Sequence, residues 1–182
     1  MPMLDEVDAI AAAWQAERPD LEVSPIQVLS RISRIARLLD ERRSQAFAEH
    51  GLAGHEFDVL AALRRAGPPY EQTPGQLVEA THVTSGTMTN RLDRLATRRL
   101  IVRRPHPADG RQVIIRLTSA GRRRVDAAFE ALLASEEALL AGLPAGQRAN
   151  LATGLRRLLG LAAGHAALAA GPDGTDEIAT IG

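Results

Sequence analysis

The chain has 182 residues, enough for one domain with extensions; 45% are apolar but only 3% aromatic, so its core must be built from Leu, Ile, Val and Ala. It contains no Cys, which excludes disulfides, thiolate metal sites and thiol redox sensing. Its 22 basic residues, all Arg, balance 22 acids, and neither a leader peptide nor an apolar run of about 18 residues is visible, so a cytoplasmic protein with no membrane partner is expected.

Residues 3–18 are expected to form a first helix, with Leu4, Val7, Ala11 and Trp14 on one face, ended by Pro19. A long second helix follows, with Ser24 as N-cap, Pro25 at the first helical position and Gly51 as the stop. Its apolar stripe runs through Ile26, Leu29, Ile32, Ala36 and Leu39. "GHEFDVLAALRRAGPP" reads as a third helix and "TPGQLVEATHV" as a short fourth. The fifth starts near Thr84 or Ser85 and turns Met88, Leu92 and Leu95 inward, leaving Ser85, Thr87, Asn90, Arg94 and Arg98 elsewhere. The period then changes. "LIVRR" and "QVIIRL" flank the turn-rich "PHPADG" and read as a β-hairpin. Two long helices complete the chain, one from "TSAGRRRV" with Val125, Phe129, Leu132, Leu133, Leu139 and Leu140 available for packing, the other from Pro144; residues 170–182 are polar and expected to fray.

The neutral total hides an asymmetry. Residues 84–124 hold eleven Arg against Asp93 and Asp109, a local charge of +9, and the remainder carries −9. A charge run usually marks a solvated helix face. This one covers a helix and a hairpin together, which points to an anionic polymer. Two short helices in sequence, the second polar where it starts, form a helix-turn-helix, and such a helix fits a major groove about 12 Å wide. Its Ser85, Thr87, Thr89, Asn90 and Arg94 are of types that hydrogen-bond base edges or phosphates, and the hairpin tip would reach flanking DNA. Single-stranded RNA fits less well, because no aromatic residue lies between Tyr70 and Phe129 to stack on bases. The five His are scattered and suggest no metal site, and no Gly-x-Ser-x-Gly, phosphate loop or metal motif suggests an enzyme or a cofactor.

The helix order, "TNRLDRL", the wing "DGRQVIIRLTSAGR" and the two long terminal helices resemble MarR-type regulators over roughly residues 25–168. The resemblance implies a mainly α (α+β) fold: a winged helix-turn-helix at 53–117, dimerisation helices at 24–52 and 118–168, an N-terminal extension at 1–23 and a flexible tail at 169–182. It implies a homodimer on double-stranded DNA, with Asp109 bracing Arg111 in the minor groove. The extra helix with Trp14 is similar to the urate-responsive branch, which implies a ligand site of Trp14, Asp58, Arg91 and Arg103. Two guanidiniums suit a planar organic anion, urate or a similar one, through bidentate bonds. Citrate-like and phenolic acids suit the same pair. Plainer readings stand beside this one. Trp14 anchors the first helix, Asp58 makes a structural ion pair, the two Arg touch phosphate, or the protein is a ligand-independent architectural DNA binder.

Overall fold

The computed structural model describes residues 4–105 and 112–169. Its elements are α1 (Glu6–Glu17), α2 (Ser24–Glu49), α3 (Gly54–Arg65), β1 (Glu71–Gln72), α4 (Pro74–Thr81), α5 (Ser85–Thr97), β2 (Ile101–Pro105), β3 (Val113–Leu117), α6 (Ser119–Leu140) and α7 (Ala145–Ala169). The mainly helical fold with a small antiparallel hairpin is as the sequence predicts. Two compact units are present, one ending at Ser135 and the other starting at Glu136. Among the described residues, no helix is long and apolar enough to cross a membrane, and no group of His, Asp or Glu is placed to hold a metal ion.

Asp5 caps α1: its carboxylate accepts from the Val7 and Asp8 N–H groups, and the Asp8 carboxylate accepts from the Asp5 N–H in return. Val7 and Ala11 are buried as the spacing predicts, but Leu4 is 78% exposed and Trp14 53%. The apolar face of α1 is therefore half as wide as its sequence pattern suggests. Ion pairs supplement it. Arg31 of α2 reaches Asp5 and Asp8 at 2.8 and 2.9 Å, and Arg34 meets Glu6.

Ser24 is the first residue of α2, not its cap. Val23 holds the cap position without a side-chain bond, and Glu22 accepts from the Ser24 N–H at 2.8 Å in its place. The α2 stripe also differs from expectation. Ile26, Ile32 and Leu39 are only partly covered, Leu29 and Ala36 are exposed, and Val28, Ile35 and Leu38 are exposed with them. Only Ala46 and Phe47, at the far end, are buried. On α6, Val125 and Leu132 are buried while Phe129, Leu133 and Leu139 are exposed.

The core lies where α3, α4, α5 and the sheet converge. It contains Leu60, Leu63, Leu77, Met88, Leu92, Leu95, Ile101 and Ile115, with Phe47 stacked on Phe57 at 4.0 Å between centroids. The sheet order is β1-β3-β2, all antiparallel. Arg103 faces Ile115 and Pro105 faces Val113 in the hairpin. The two-residue β1 has no periodicity and is absent from the sequence-based expectation.

"LTSAG" joins the sheet to α6. The Thr118 N–H and hydroxyl both meet the Leu100 carbonyl at 3.0 Å, and the hydroxyl oxygen accepts from the Gly121 N–H at 2.9 Å. Gly121 lies so close to β2 that a Cβ there would stand 2.1 Å from the Leu100 oxygen. In the second unit, Arg148 of α7 pairs with Glu137 at 2.8 Å and donates to the Leu143 carbonyl.

Candidate nucleic-acid interface

The helix-turn-helix is built by its caps. Thr73 caps α4, with Pro74 inside the helix and the Gln76 side chain accepting from the Thr73 N–H. His82 ends α4 in the left-handed region at φ 52° and turns the chain. Thr84 then caps α5, accepting from the Thr87 N–H at 3.3 Å. Met88, Leu92 and Leu95 seat α5 in the core. That seating fixes what the helix presents outward: Ser85, Thr87, Thr89, Asn90 and Arg94 are all exposed. The Thr89 hydroxyl donates to the Ser85 carbonyl at 3.1 Å, and the Thr87 hydroxyl accepts from that of Thr84 at 3.0 Å. Among the described residues, Asn90 and Arg94 have no internal side-chain hydrogen-bond partner. The outward surface of α5 thus offers one amide and one guanidinium still unsatisfied, flanked by threonines. Asp109, Arg111 and His106 lie outside the described residues.

Of the four nominated ligand residues, Asp58 and Arg91 are electrostatic neighbours. Burial is the strongest influence on Asp58 and raises its carboxyl above the ordinary range; the fields of Arg91, His55 and Arg65 oppose this without overcoming it. Arg91, with His55, Thr87, Asn90 and Arg94, lines a cleft of about 270 Å³ that Asp58 does not line. Arg103 is engaged elsewhere, by Asp93 of α5 at 2.7 Å, and both side chains are exposed. The structural ion pair that the sequence allows Asp58 is not made with Arg103. Trp14 stands exposed on α1. His55 lines the cleft and Asp93 holds Arg103, and the sequence nominated neither. Asp93 was legible as the acid two residues beyond Arg91, but only the α5–β2 geometry shows which Arg it takes.

Arg98, grouped by sequence with the outward residues of α5, is tied inward. It donates to Glu56 of α3 and to the Gly51 carbonyl, both at 2.5 Å. Glu56 is 7% exposed and also accepts from the Ala53 N–H at 3.0 Å. Burial alone would raise its carboxyl, but Arg98 and the Ala53 N–H outweigh burial and hold it below the usual glutamate range. This bond braces the C-terminal end of α5 against the start of α3.

Comparison with known proteins places these features among DNA-binding regulators. Residues 50–112 match the sequence profile of the MarR family. The chain is 37% identical to the HTH-type transcriptional regulator PecS of Dickeya dadantii over 160 residues, 88% of this chain and 94% of that one. It superposes on a mutant MarR from Escherichia coli complexed with operator DNA with a TM-score of 0.63 and 25% identity, covering 75% of this chain and 96% of the other. It superposes on Bordetella bronchiseptica BpsR, whose DNA binding is regulated by 6-hydroxynicotinic acid, with a TM-score of 0.55 and 26% identity over 70% of this chain and 98% of that one.

Proposed function

This chain belongs to the MarR family, and from that premise we propose that it is a ligand-responsive repressor that binds a pseudo-palindromic DNA site as a homodimer and leaves it when a small organic anion such as urate binds. It is a DNA-binding transcriptional regulator, as its relatives are, rather than an enzyme. The observation that carries the reading is α5, whose buried Met88, Leu92 and Leu95 hold Asn90, Arg94 and the threonines outward at a surface free to meet base edges.

Homodimer formation is supported by apolar side chains left uncovered on a single chain. Val28, Leu29, Ile35 and Leu38 are about half exposed on α2, and Leu151, Leu155 and Leu159 form an exposed stripe on α7. The reading keeps 24–52 and 118–168 as dimerisation segments, 53–117 as the DNA-binding part and the cytoplasm as its place. Sedimentation at micromolar concentration is expected to give a dimer. Operator affinity should fall with salt, with a log–log slope of about −0.9 per phosphate neutralised. A monomer, or salt-insensitive binding, rejects the reading.

Specificity and affinity should separate. Asn90→Ala is expected to change which operator bases are preferred, by about 1–3 kcal/mol at the base it contacts. Arg111→Ala in the wing should weaken all sequences alike, because minor-groove and backbone contacts carry little base information. Binding measured on a panel of single-base operator variants distinguishes the two; equal losses across the panel for both would remove the division of labour.

Release by an anion is supported by an under-compensated carboxylate beside Arg91 and by the weakness of the bond that holds Arg103. An exposed pair such as Arg103–Asp93 is worth about 0–1 kcal/mol, so a bidentate anion can displace Asp93 easily. Held by Arg103 and Arg91 together, the anion ties α5 to β2 through a new tether, and it is this tether, not loss of the weak pair, that changes how α5 is held. This gives the ligand different contacts in the two states, as a switch requires. Arg103→Ala should keep DNA binding and blunt release in gel-shift competition with urate, citrate and salicylate. If the variant responds as the wild type does, the pocket is elsewhere. If none of the three anions acts on the wild type, the ligand reading fails and DNA binding stands.

A further inference from the structure

The charge run noted in the sequence does not end with the helix-turn-helix. Arg123 and Arg124 lie on the first turn and a half of α6, beyond the hairpin, and both are exposed. Among the described residues neither meets a carboxylate, although Arg31, Arg64, Arg98, Arg103, Arg116 and Arg148 all do. Among the described residues Arg156 and Arg157 on α7 are likewise adjacent, exposed and without a carboxylate, so what sets Arg123 and Arg124 apart is the concave surface they share.

They line a cleft of about 510 Å³ between the start of α6 and the end of α2, with His50, Gly51 and Ala120 in its walls and Glu49 as its only acid. The cleft is open to solvent on one side and large enough to admit a small anion. Arg124 lies against the turn at Gly51. Its Nη1 stands 3.3 Å from where a Cβ on Gly51 would be, and Gly51 has a φ of +63°, where a side chain is strained. The turn thus brings bare backbone beside the guanidinium and leaves its N–H groups open to a ligand. Arg98 closes the far side of Gly51 by its bond to the carbonyl, its own charge already met by Glu56.

We propose that this cleft binds a small oxyanion carrying at least two negative charges, held by the Arg123 and Arg124 guanidiniums with His50 beside them. Two planar forks on neighbouring residues match the separated oxygens of a diphosphate or a polycarboxylate, one anionic group to each fork, which a small monoanion such as acetate cannot span. The wall at Gly51 is shared with Arg98, the residue that braces α5.

The test is calorimetric titration of the full chain with inorganic pyrophosphate at constant ionic strength. A saturable site, one per chain, is expected. The double variant Arg123→Gln/Arg124→Gln should lose affinity by about tenfold or more, since two charge-assisted contacts are removed. Arg156→Gln/Arg157→Gln, an exposed pair on α7 with the same change of charge, should bind as the wild type does. Thermal melts establish that both variants are folded, and the His50 ring resonances should move on titration. Citrate binding with similar affinity supports the assignment to multivalent oxyanions in general; citrate failing where pyrophosphate binds narrows it to phosphates. Absence of saturable binding, equal loss in both double variants, retained affinity in the Arg123/Arg124 variant, or acetate binding as tightly as pyrophosphate each overturns it.

Discussion

Gly121→Ala is expected to lower the melting temperature by roughly 6–12 °C, from a loss of about 3 kcal/mol or more in a chain of this size. The new methyl would meet the Leu100 oxygen at 2.1 Å and the Leu117 side chain at 2.9 Å, and the first of these is backbone that cannot rotate away. To clear it, α6 must move off β2 by about 1 Å, since Cβ contacts below about 3 Å do not persist. That movement breaks the paired bonds from Thr118 to the Leu100 carbonyl. Gly154→Ala on α7 is the control. It meets nothing within 4 Å in a helix interior and should stabilise by about 0.5–1 kcal/mol. Calorimetric melts of both variants decide the matter, and a Gly121→Ala protein melting within about 2 °C of wild type would mean that α6 does not pack on β2 as described.

The second large effect lies in the Glu56–Arg98 bond, and its two halves should not cost the same. Arg98→Ala leaves a carboxylate that is almost fully buried with only the Ala53 N–H for company, and a loss of about 2–3 kcal/mol is expected. Glu56→Ala leaves a guanidinium whose side chain is 33% exposed and can rehydrate, so roughly 1–2 kcal/mol is expected. Denaturant unfolding of both variants tests the order, and a larger loss for Glu56→Ala would reject it. The same bond sets an acid limit. The folded carboxyl titrates below its unfolded value of 4.5, so its stabilisation is complete above that pH and is lost as pH falls through the folded value. Wild type should lose stability on that descent more steeply than Glu56→Gln does.

The sequence made the local rules legible. Met88, Leu92 and Leu95 recur at helical spacing, and Thr73, Pro74 and Thr84 announce their helices, so α4, α5 and the outward set on α5 follow from pattern alone. Ser24 misled because it resembles a cap, whereas Glu22, two residues earlier, supplies the acceptor. The spacing of Leu4 and Trp14 also misled, because periodicity marks a face but not what covers it. The partners of Arg98 and Arg103 were not readable. Both contacts join residues brought together by the crossing of elements, and eleven Arg in one stretch give no means of telling which are bound internally. The wing residues Asp109 and Arg111 stay with the resemblance that nominated them.

The attachment of α1 has a consequence for how such a protein can change over generations. The helix docks on α2 through Val7, Ala11 and a few exposed arginine–carboxylate contacts, while the core of the DNA-binding part is assembled from α3, α4, α5 and the sheet. An element joined this lightly can be gained, lost or resculpted without rebuilding the module that reads DNA. Substitutions around the exposed Trp14 can therefore accumulate without disturbing the core that seats α5, so that the extension and the helix-turn-helix are free to diverge at different rates.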